Sequence, residues 1–454
     1  AALPGGSSAF GGGDGPCTEG VARDDARPHV LLLSVDTLRA DVARTMRSYQ
    51  RIARMGLEFT SHVSPAPWTL PAMASLLTGR PPGRHGAGRS RSSRSVIAKT
   101  PLARGVSTIA GELGAHGYRT HAVVTNPFLT SSYGIDRGFC TFDNVSMRGE
   151  AVRGLSQSTV LRLARRIAPG LEPSDRADVV RREAERWIQA HAGRPFFLWV
   201  HFLDPHAPYG DRDGSSTSLA FDLVALQDRR GIGEPFSAMA LLRSGEYRPG
   251  AAERRKIVEL YRSDVAFVDE QISLLLDFLE RHRLLARTAI VLTADHGEEF
   301  WDHGGVEHGH TLYDEVVRVP LVLYAPGREP LRRPRTDLTT AIDVAPTIAA
   351  LTGTDPRAFA GDDLLASPPS APARERAVRL GCLLFGDEWT GVRTAHAKYM
   401  RGEHGEERFY DLAADPGELV NRVATDPPAL LALRRSADAA ADRLASSARR
   451  GRRE

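Results

Sequence analysis

Three short stretches carry residue types that could do chemistry on an anionic ester. The first is Val35-Asp36-Thr37-Leu38-Arg39-Ala40-Asp41, where a carboxylate follows directly on an apolar run. A carboxylate at the end of a buried strand is costly unless something pairs with it. A metal ion, Arg39 or a helix N-terminus would each serve. The second is Ala294-Asp295-His296-Gly297-Glu298-Glu299. Adjacent Asp and His on a turning chain can both reach one cation, and Gly297 permits a tight backbone there. A hard oxygen beside a borderline nitrogen suits Mn, Zn or Mg better than a thiolate-seeking metal. A solvated turn is the plain alternative. The third stretch runs from Ser64 to Arg80 and contains Thr69-Leu70-Pro71 and Thr78-Gly79-Arg80. Pro71 suits a first helical turn and Gly79 a helix end. Thr69 then lies at or just before a helix N-terminus, where free N–H groups and the dipole favour an anion. Its hydroxyl is a nucleophile if a metal lowers its pKa; Thr is equally a common N-cap residue.

These residues need elements to hold them. His29–Val35 is a continuous apolar run with β-branched residues, the pattern of a strand buried on both faces of a parallel sheet. Similar runs occur at Thr120–Val124, Pro195–Phe202, Ala289–Thr293 and Val319–Tyr324. Helical patterns at Thr108–His116, Asp178–His191 and Glu253–Arg281 alternate with them. Strands alternating with helices predict an α/β sheet with crossover helices. Ligands of such sheets collect beyond the C-terminal strand ends. That rule selects Asp36-Thr37, Thr125-Asn126, the segment around Asp204–His206, and Asp295-His296. All four places are polar.

The remaining chain is less informative. With 454 residues, 42% apolar and 25% charged, it has material for a large core, and a net charge of +3 points to no polyanionic partner. The basic runs at Arg84–Arg94 and Arg443–Arg453 read as solvated segments, so no nucleic acid is expected. No stretch of about 18 apolar residues is present to span a membrane. Cys17, Cys140 and Cys382 are odd in number and lack CxxC spacing, which supports neither a disulfide framework nor a zinc-thiolate site. Residues 1–28, rich in Gly, Ser and Asp, read as a disordered leader. Residues 210–250 read as an insertion near the strand ends. Beyond residue 353, short alternating runs at Ala377–Leu384 and Gly391–Met400 predict a small antiparallel subdomain to 427, followed by a helical tail over 428–454.

As an ordered set, these elements resemble the sulfatase family. The set comprises Asp36, Thr69-Leu70-Pro71 with Thr78-Gly79-Arg80, Asp204-Pro205-His206-Ala207-Pro208-Tyr209, Asp295-His296-Gly297, Arg318-Val319-Pro320-Leu321, and Tyr410-Asp411-Leu412 with Asp415-Pro416-Gly417-Glu418 and Asn421. The resemblance spans roughly 29–425. It implies an alkaline-phosphatase-like α/β fold: a mixed, mostly parallel sheet flanked by helices, with a catalytic domain over 29–353. By position it implies metal ligation of one divalent ion (Mn, Zn, Mg or Ca) by Asp36, Asp295 and His296, with Thr37 at the site of a further ligand. Thr69 takes the nucleophile position. His206 resembles a contact to the ester, and His308 and His310 lie where the family keeps a basic leaving-group contact, so one of the three would be the general acid. Asn126 and Arg80 would contact substrate.

The chain departs from the family's pattern in four places. Thr37 replaces a second acid, Met73 replaces the helper arginine of the nucleophile motif, and Val123-Val124-Thr125-Asn126 replaces a lysine-and-histidine motif. Sulfatases oxidise Cys or Ser to formylglycine. Thr cannot give that aldehyde, because its methyl group would leave a ketone, so no formylglycine is expected. A Thr69 oxygen would form an ordinary covalent ester, and phosphothreonine, unlike a sulfated Thr, is readily cleared by in-line attack at phosphorus. Thr also stands here in phosphoethanolamine and phosphoglycerol transferases and nucleotide pyrophosphatases. The expected activity is hydrolysis of sulfate or phosphate esters, small or carried on a glycan or lipid, with a phosphoester preference. A sulfatase using unmodified Thr, a headgroup transferase and an inactive binding protein are the alternatives. Relatives are often exported, and the Ala1-Ala2 start is compatible with a removed signal.

Overall fold

The structure, a computed structural model, describes residues 26–90, 98–146, 176–207, 209–210, 241–331, 333–366, 376–425 and 428–437. The leader through residue 25, residues 211–240 of the insertion and the tail beyond 437 lie outside the described residues.

Seven strands form the main sheet: β1 (His29–Val35), β2 (Leu57–Phe59), β3 (Arg119–Val124), β4 (Thr141–Asn144), β5 (Phe196–Phe202), β6 (Thr288–Ala294) and β7 (Leu321–Tyr324). Their order is β2-β7-β6-β1-β5-β3-β4. All neighbouring pairs are parallel except those of β7, which runs antiparallel to both β6 and β2. The five expected strands are present within a residue or two. The two missed, β2 and β4, are short and only partly buried, so they lack the apolar run by which a buried strand is recognised.

Alternate residues of β1 feed two cores, because successive side chains of a strand point to opposite faces. Leu31, Leu33 and Val35 pack under α1 (Arg47–Met55), α4 (Ala177–His191) and α5 (Ala251–Arg281). Val30 and Leu32 pack under α2 (Thr69–Thr78), α3 (Ile109–Ala115) and α6 (Val344–Thr352). Burial on both faces explains why β1, β5 and β6 read as unbroken apolar runs.

A second, antiparallel sheet follows: β8 (Val378–Leu380), β9 (Trp389–Arg393), β10 (Ala397–Gly402) and β11 (Glu407–Asp411), in sequential order. The expected run 391–400 is really two strands, since Thr394 accepts back from Ala397 N–H and turns the chain. Residues 428–437 are helical. Cys140 is disulfide-bonded and Cys382 is free. The first fact corrects the expectation from cysteine spacing: a pairing set by tertiary approach leaves no local spacing signature.

Candidate active site

The centre of the sheet positions the first ligand. Asp36 follows β1, which lies between β5 and β6, so Asp36 faces the ends of both neighbours. Asp295 and His296 follow β6. Carboxylate oxygens of Asp36 and Asp295 and a ring nitrogen of His296 lie within 4.8 Å of one another, and all three residues are buried. His296 Nε2 is 3.6 Å from Asp36 Oδ1 and 3.2 Å from Asp295 Oδ2. The other ring nitrogen, Nδ1, donates to Gly297 O at 2.9 Å, which leaves the Nε2 lone pair aimed at the cluster. Gly297 is required here for close approach rather than for an unusual φ: a Cβ would fall 2.1 Å from Glu315 O.

The residues fit a divalent cation. Asp36 Oδ1 and Asp295 Oδ2 are buried with no hydrogen-bond partner, as is Thr37 Oγ1. Orphaned buried carboxylate oxygens are expensive unless a cation meets them. Burial alone would raise the Asp36 carboxyl, but the imidazoles of His206, His201 and His296 outweigh it and hold it below the usual range. Burial likewise opposes charge on His296, yet Asp295 and Asp36 lift its pKa to about 9. The pair of carboxylates thus demands positive charge at Nε2, where a cation would take the proton's place. Thr37 holds a left-handed backbone (φ 56°), rare for a β-branched residue. Tyr261 secures it by donating to Thr37 O at 2.9 Å.

Thr69 opens α2 at its first helical position. The N-cap residue is Trp68, and its side chain makes no capping hydrogen bond. Thr69 Oγ1 instead meets His296 Nε2 at 3.4 Å and accepts from Asn126 Nδ2 at 3.2 Å. The capping explanation of Thr69 therefore fails. Gly79, with φ 57°, ends the helix.

Asn126 is locked in one orientation. Its Oδ1 accepts from Phe128 N at 2.8 Å and its backbone N–H donates to Ser146 Oγ at 3.0 Å, at a φ of 114°. Nδ2 must then face inward, donating to Asp36 Oδ2 at 2.7 Å as well as to Thr69. Asp36 Oδ2 has a second neighbour absent from the sequence reading: His201 Nε2 at 3.4 Å. Trp199 Nε1, which can only donate, gives a hydrogen bond to Ser34 Oγ at 2.8 Å. Ser34 therefore directs its own hydrogen to His201 Nδ1, also 2.8 Å away. That assignment places the His201 proton on Nε2, pointing at Asp36. One Asp36 oxygen is thus pinned by donors and the other is presented to the cation site.

The candidate proton donors separate. The His308 ring lies tilted 4.3 Å from the His296 ring and edge-on 5.0 Å from that of His206, and its Nδ1 faces Glu298 Oε1 at 2.9 Å. Burial, then the charge on His296, keeps its pKa well below the ordinary histidine value. Glu298 is pushed well above the carboxylate range by burial and by Glu307, so it can hold a proton toward His308. His206 Nδ1 donates to Ala207 O at 2.6 Å. His310 turns away and pairs through Nε2 with Glu299 Oε2 at 2.8 Å. Arg80 is also not brought in. It lies eleven positions beyond Thr69, about 16 Å along the helix axis, and donates weakly to Ala358 O.

Thr69 at a helix N-terminus stands against an Asp–Asp–His cluster able to hold a cation, at the C-terminal edge of this sheet, an arrangement suited to ester hydrolysis. The comparisons agree. The model of the family described as Sulfatase matches residues 28–354, and the chain belongs to that family. A sulfatase of Formosa agariphila is 23% identical over 437 residues, covering 89% of this chain and 84% of the relative. A protein solved with its substrate D-glucosamine-2-N,6-O-disulfate superposes with TM-score 0.68 at 17% identity, covering 92% of this chain and 98% of that one. The phosphonate monoester hydrolase of Agrobacterium radiobacter gives TM-score 0.65 at 20% identity, covering 93% and 96%.

Proposed function

We propose that this sulfatase-family chain hydrolyses phosphate-type esters through Thr69, by a covalent phosphothreonine. The observation that carries the reading is the placement of Thr69 Oγ1, 3.4 Å from His296 Nε2 and 3.2 Å from Asn126 Nδ2, at the N-terminus of α2. The helix end makes no side-chain capping bond that would engage this hydroxyl, and threonine gives no aldehyde.

A divalent cation held by Asp36, Asp295 and His296, beside the Thr37 hydroxyl, would supply Lewis-acid polarisation and lower the pKa of the Thr69 hydroxyl. The chain's own groups do the rest. Asn126 aims the Thr69 oxygen by donating to it, and the free N–H groups of the α2 N-terminus favour the equatorial oxygens. Thr69 Oγ, its proton released to solvent, attacks phosphorus in line as the bond to the leaving ester oxygen breaks. His308 gives a proton to the leaving oxygen and is resupplied through Glu298. Water then attacks the phosphothreonine and releases phosphate. The ester is a small molecule or is carried on a glycan or lipid. The disulfide at Cys140 suits an oxidising compartment, which supports export.

The test is a panel of aryl sulfate, phosphomonoester and phosphodiester with Mn, Zn and Mg, on wild type and Thr69→Ala. Phosphoester turnover should dominate, and the substitution should lower it about 10³-fold or more. Mass spectrometry of quenched enzyme should find phosphate on Thr69. Aryl sulfate turnover above that of every phosphoester would instead favour a sulfatase acting with unmodified threonine; sulfate esters are what the relatives' names point to.

A further inference from the structure

Beyond the reaction centre, a cavity of about 190 Å³ lies between the chain that follows the metal-ligand pair and the C-terminal sheet. Glu299, His303, His310 and Tyr313 line one side, and Trp389 and Arg408 the other. That is the liquid volume of about six waters, enough for a tetrahedral oxyanion and its first attached atoms.

Arg408 is the unusual member. Its guanidinium carbon sits 4.5 Å from the Trp389 ring centroid and 5.7 Å from that of Tyr313, and Nη1 donates to the Tyr313 hydroxyl. Among the described residues no carboxylate lies within ion-pairing distance of it. Two other guanidiniums of this sheet are matched: Arg393 with Asp314 at 2.9 Å, and Arg401 with Glu407 at 3.5 Å. Arg408 thus keeps a charge and several donors toward a cavity, braced by two aromatic rings. His310 Nδ1 is a second wall atom without a hydrogen-bond partner. The acid in the wall, Glu299, is already engaged: His310 Nε2 at 2.8 Å and the backbone N–H groups of His303 and Gly305 at 3.0 and 2.7 Å surround it. His303 is likewise taken, by Glu315 at 2.6 Å.

One wall of the cavity is built by the chain that continues from His308. His310 is two residues from His308, at most about 7 Å of chain, and the His308 ring lies 4.3 Å from that of His296. We propose that this cavity is a substrate subsite for a second oxyanion group, sulfate, phosphate or carboxylate, remote from the ester being cleaved, with Arg408 as its anchor. The proposal rests on the active-site reading above and narrows the substrate class to esters that carry two anionic groups. A planar guanidinium braced on rings presents its fork with little ordering cost and matches two oxygens of such a group.

The test uses full-length Thr69→Ala protein loaded with Mn²⁺. Calorimetry compares alkanediol monophosphates with the corresponding bisphosphates of about four to eight carbons, a series whose length scan finds the matching span. The expected result is at least one length at which the bisphosphate binds about tenfold tighter or better. Adding Arg408→Gln should bring that ratio close to one, and Arg408→Lys should keep a few-fold preference. Absence of a preference at every length would overturn the subsite. So would a ratio unchanged in both variants, or a fall in both affinities at constant ratio. Turnover of the probes by Thr69→Ala would defeat the nucleophile assignment alone, since the affinity ratio is decided at Arg408.

Discussion

Asp36 shows how much of the site depends on a single carboxylate's orientation. Two donors hold Oδ2, and the orphaned Oδ1 faces His296 Nε2 at 3.6 Å, within the candidate metal-binding cluster. Ser34→Ala cuts the relay that sets the His201 tautomer and leaves the Trp199 indole N–H without its acceptor. Mn²⁺ affinity should fall about 10-fold to 100-fold, the usual effect of losing an outer partner of a ligand. Titration of the apo protein measures this without any turnover, and an unchanged dissociation constant would remove the relay from the site. Asn126→Ala withdraws the donor on Thr69, so kcat should drop about 10²-fold with a smaller change in KM. Steady-state kinetics on the best phosphoester decides it; equal losses in binding and in turnover would make Asn126 a substrate contact instead. Asp36, Thr69, Asp295 and His296 were legible because each ends an apolar run or opens a helix. Ser34, Trp199 and His201 were not. They lie inside strands and read only as members of buried runs. What joins them is the β1–β5 register, which pairs Ser34 with His201, and the strand period, which puts Trp199 on the same face as His201.

Between elements, the C-terminal sheet is tied to the catalytic part by a buried charge cluster. Lys398 on β10 is fully buried, 2.6 Å from Asp314 and 2.8 Å from Glu418, and Arg393 on β9 joins Asp314. Removing one member strands the others in a low-dielectric interior. Lys398→Met should therefore cost about 3–5 kcal/mol, read by chemical denaturation; a loss within experimental error would mean that the acids are satisfied without it. The antiparallel sheet was foreseeable from its alternating runs. The clamp was not, because a lysine within an alternating strand ordinarily points to solvent. Only the docking of β10 against the segment around Asp314 turns Lys398 inward.

For the molecule as a whole, the response to acid is written into buried histidines. His29 stacks on Phe196 at 4.2 Å, and neither ring nitrogen has a hydrogen-bond partner. Burial, then Arg287, lowers its pKa to about 4. Below about pH 6.5 the unfolded chain binds a proton there that the native state refuses, so this contribution to stability is complete above pH 6.5 and is lost as pH falls toward 4. His29→Phe keeps the stacked ring and removes the titration. Its stability relative to wild type should rise on acidification by up to about 1.4 kcal/mol per pH unit between about pH 6 and 4.5. Denaturant midpoints at pH 8, 6 and 5 test this; a difference that does not vary with pH would contradict it.

The sequence by itself determined the α/β class, the strand ends where chemistry collects, and the family. These follow from local signals: hydrophobic periodicity, helix punctuation and short motifs in order. The resemblance named candidate contacts, and the tertiary structure decided which of them share the site. It brought Asn126, His206 and His308 to the cluster, turned His310 toward Glu299, left Arg80 at the far end of α2, and added His201. The reason is physical. A residue's neighbours across a parallel sheet are set by strand order and register, and residues as distant in sequence as Asp36 and Asp295 meet only because β1 and β6 lie side by side.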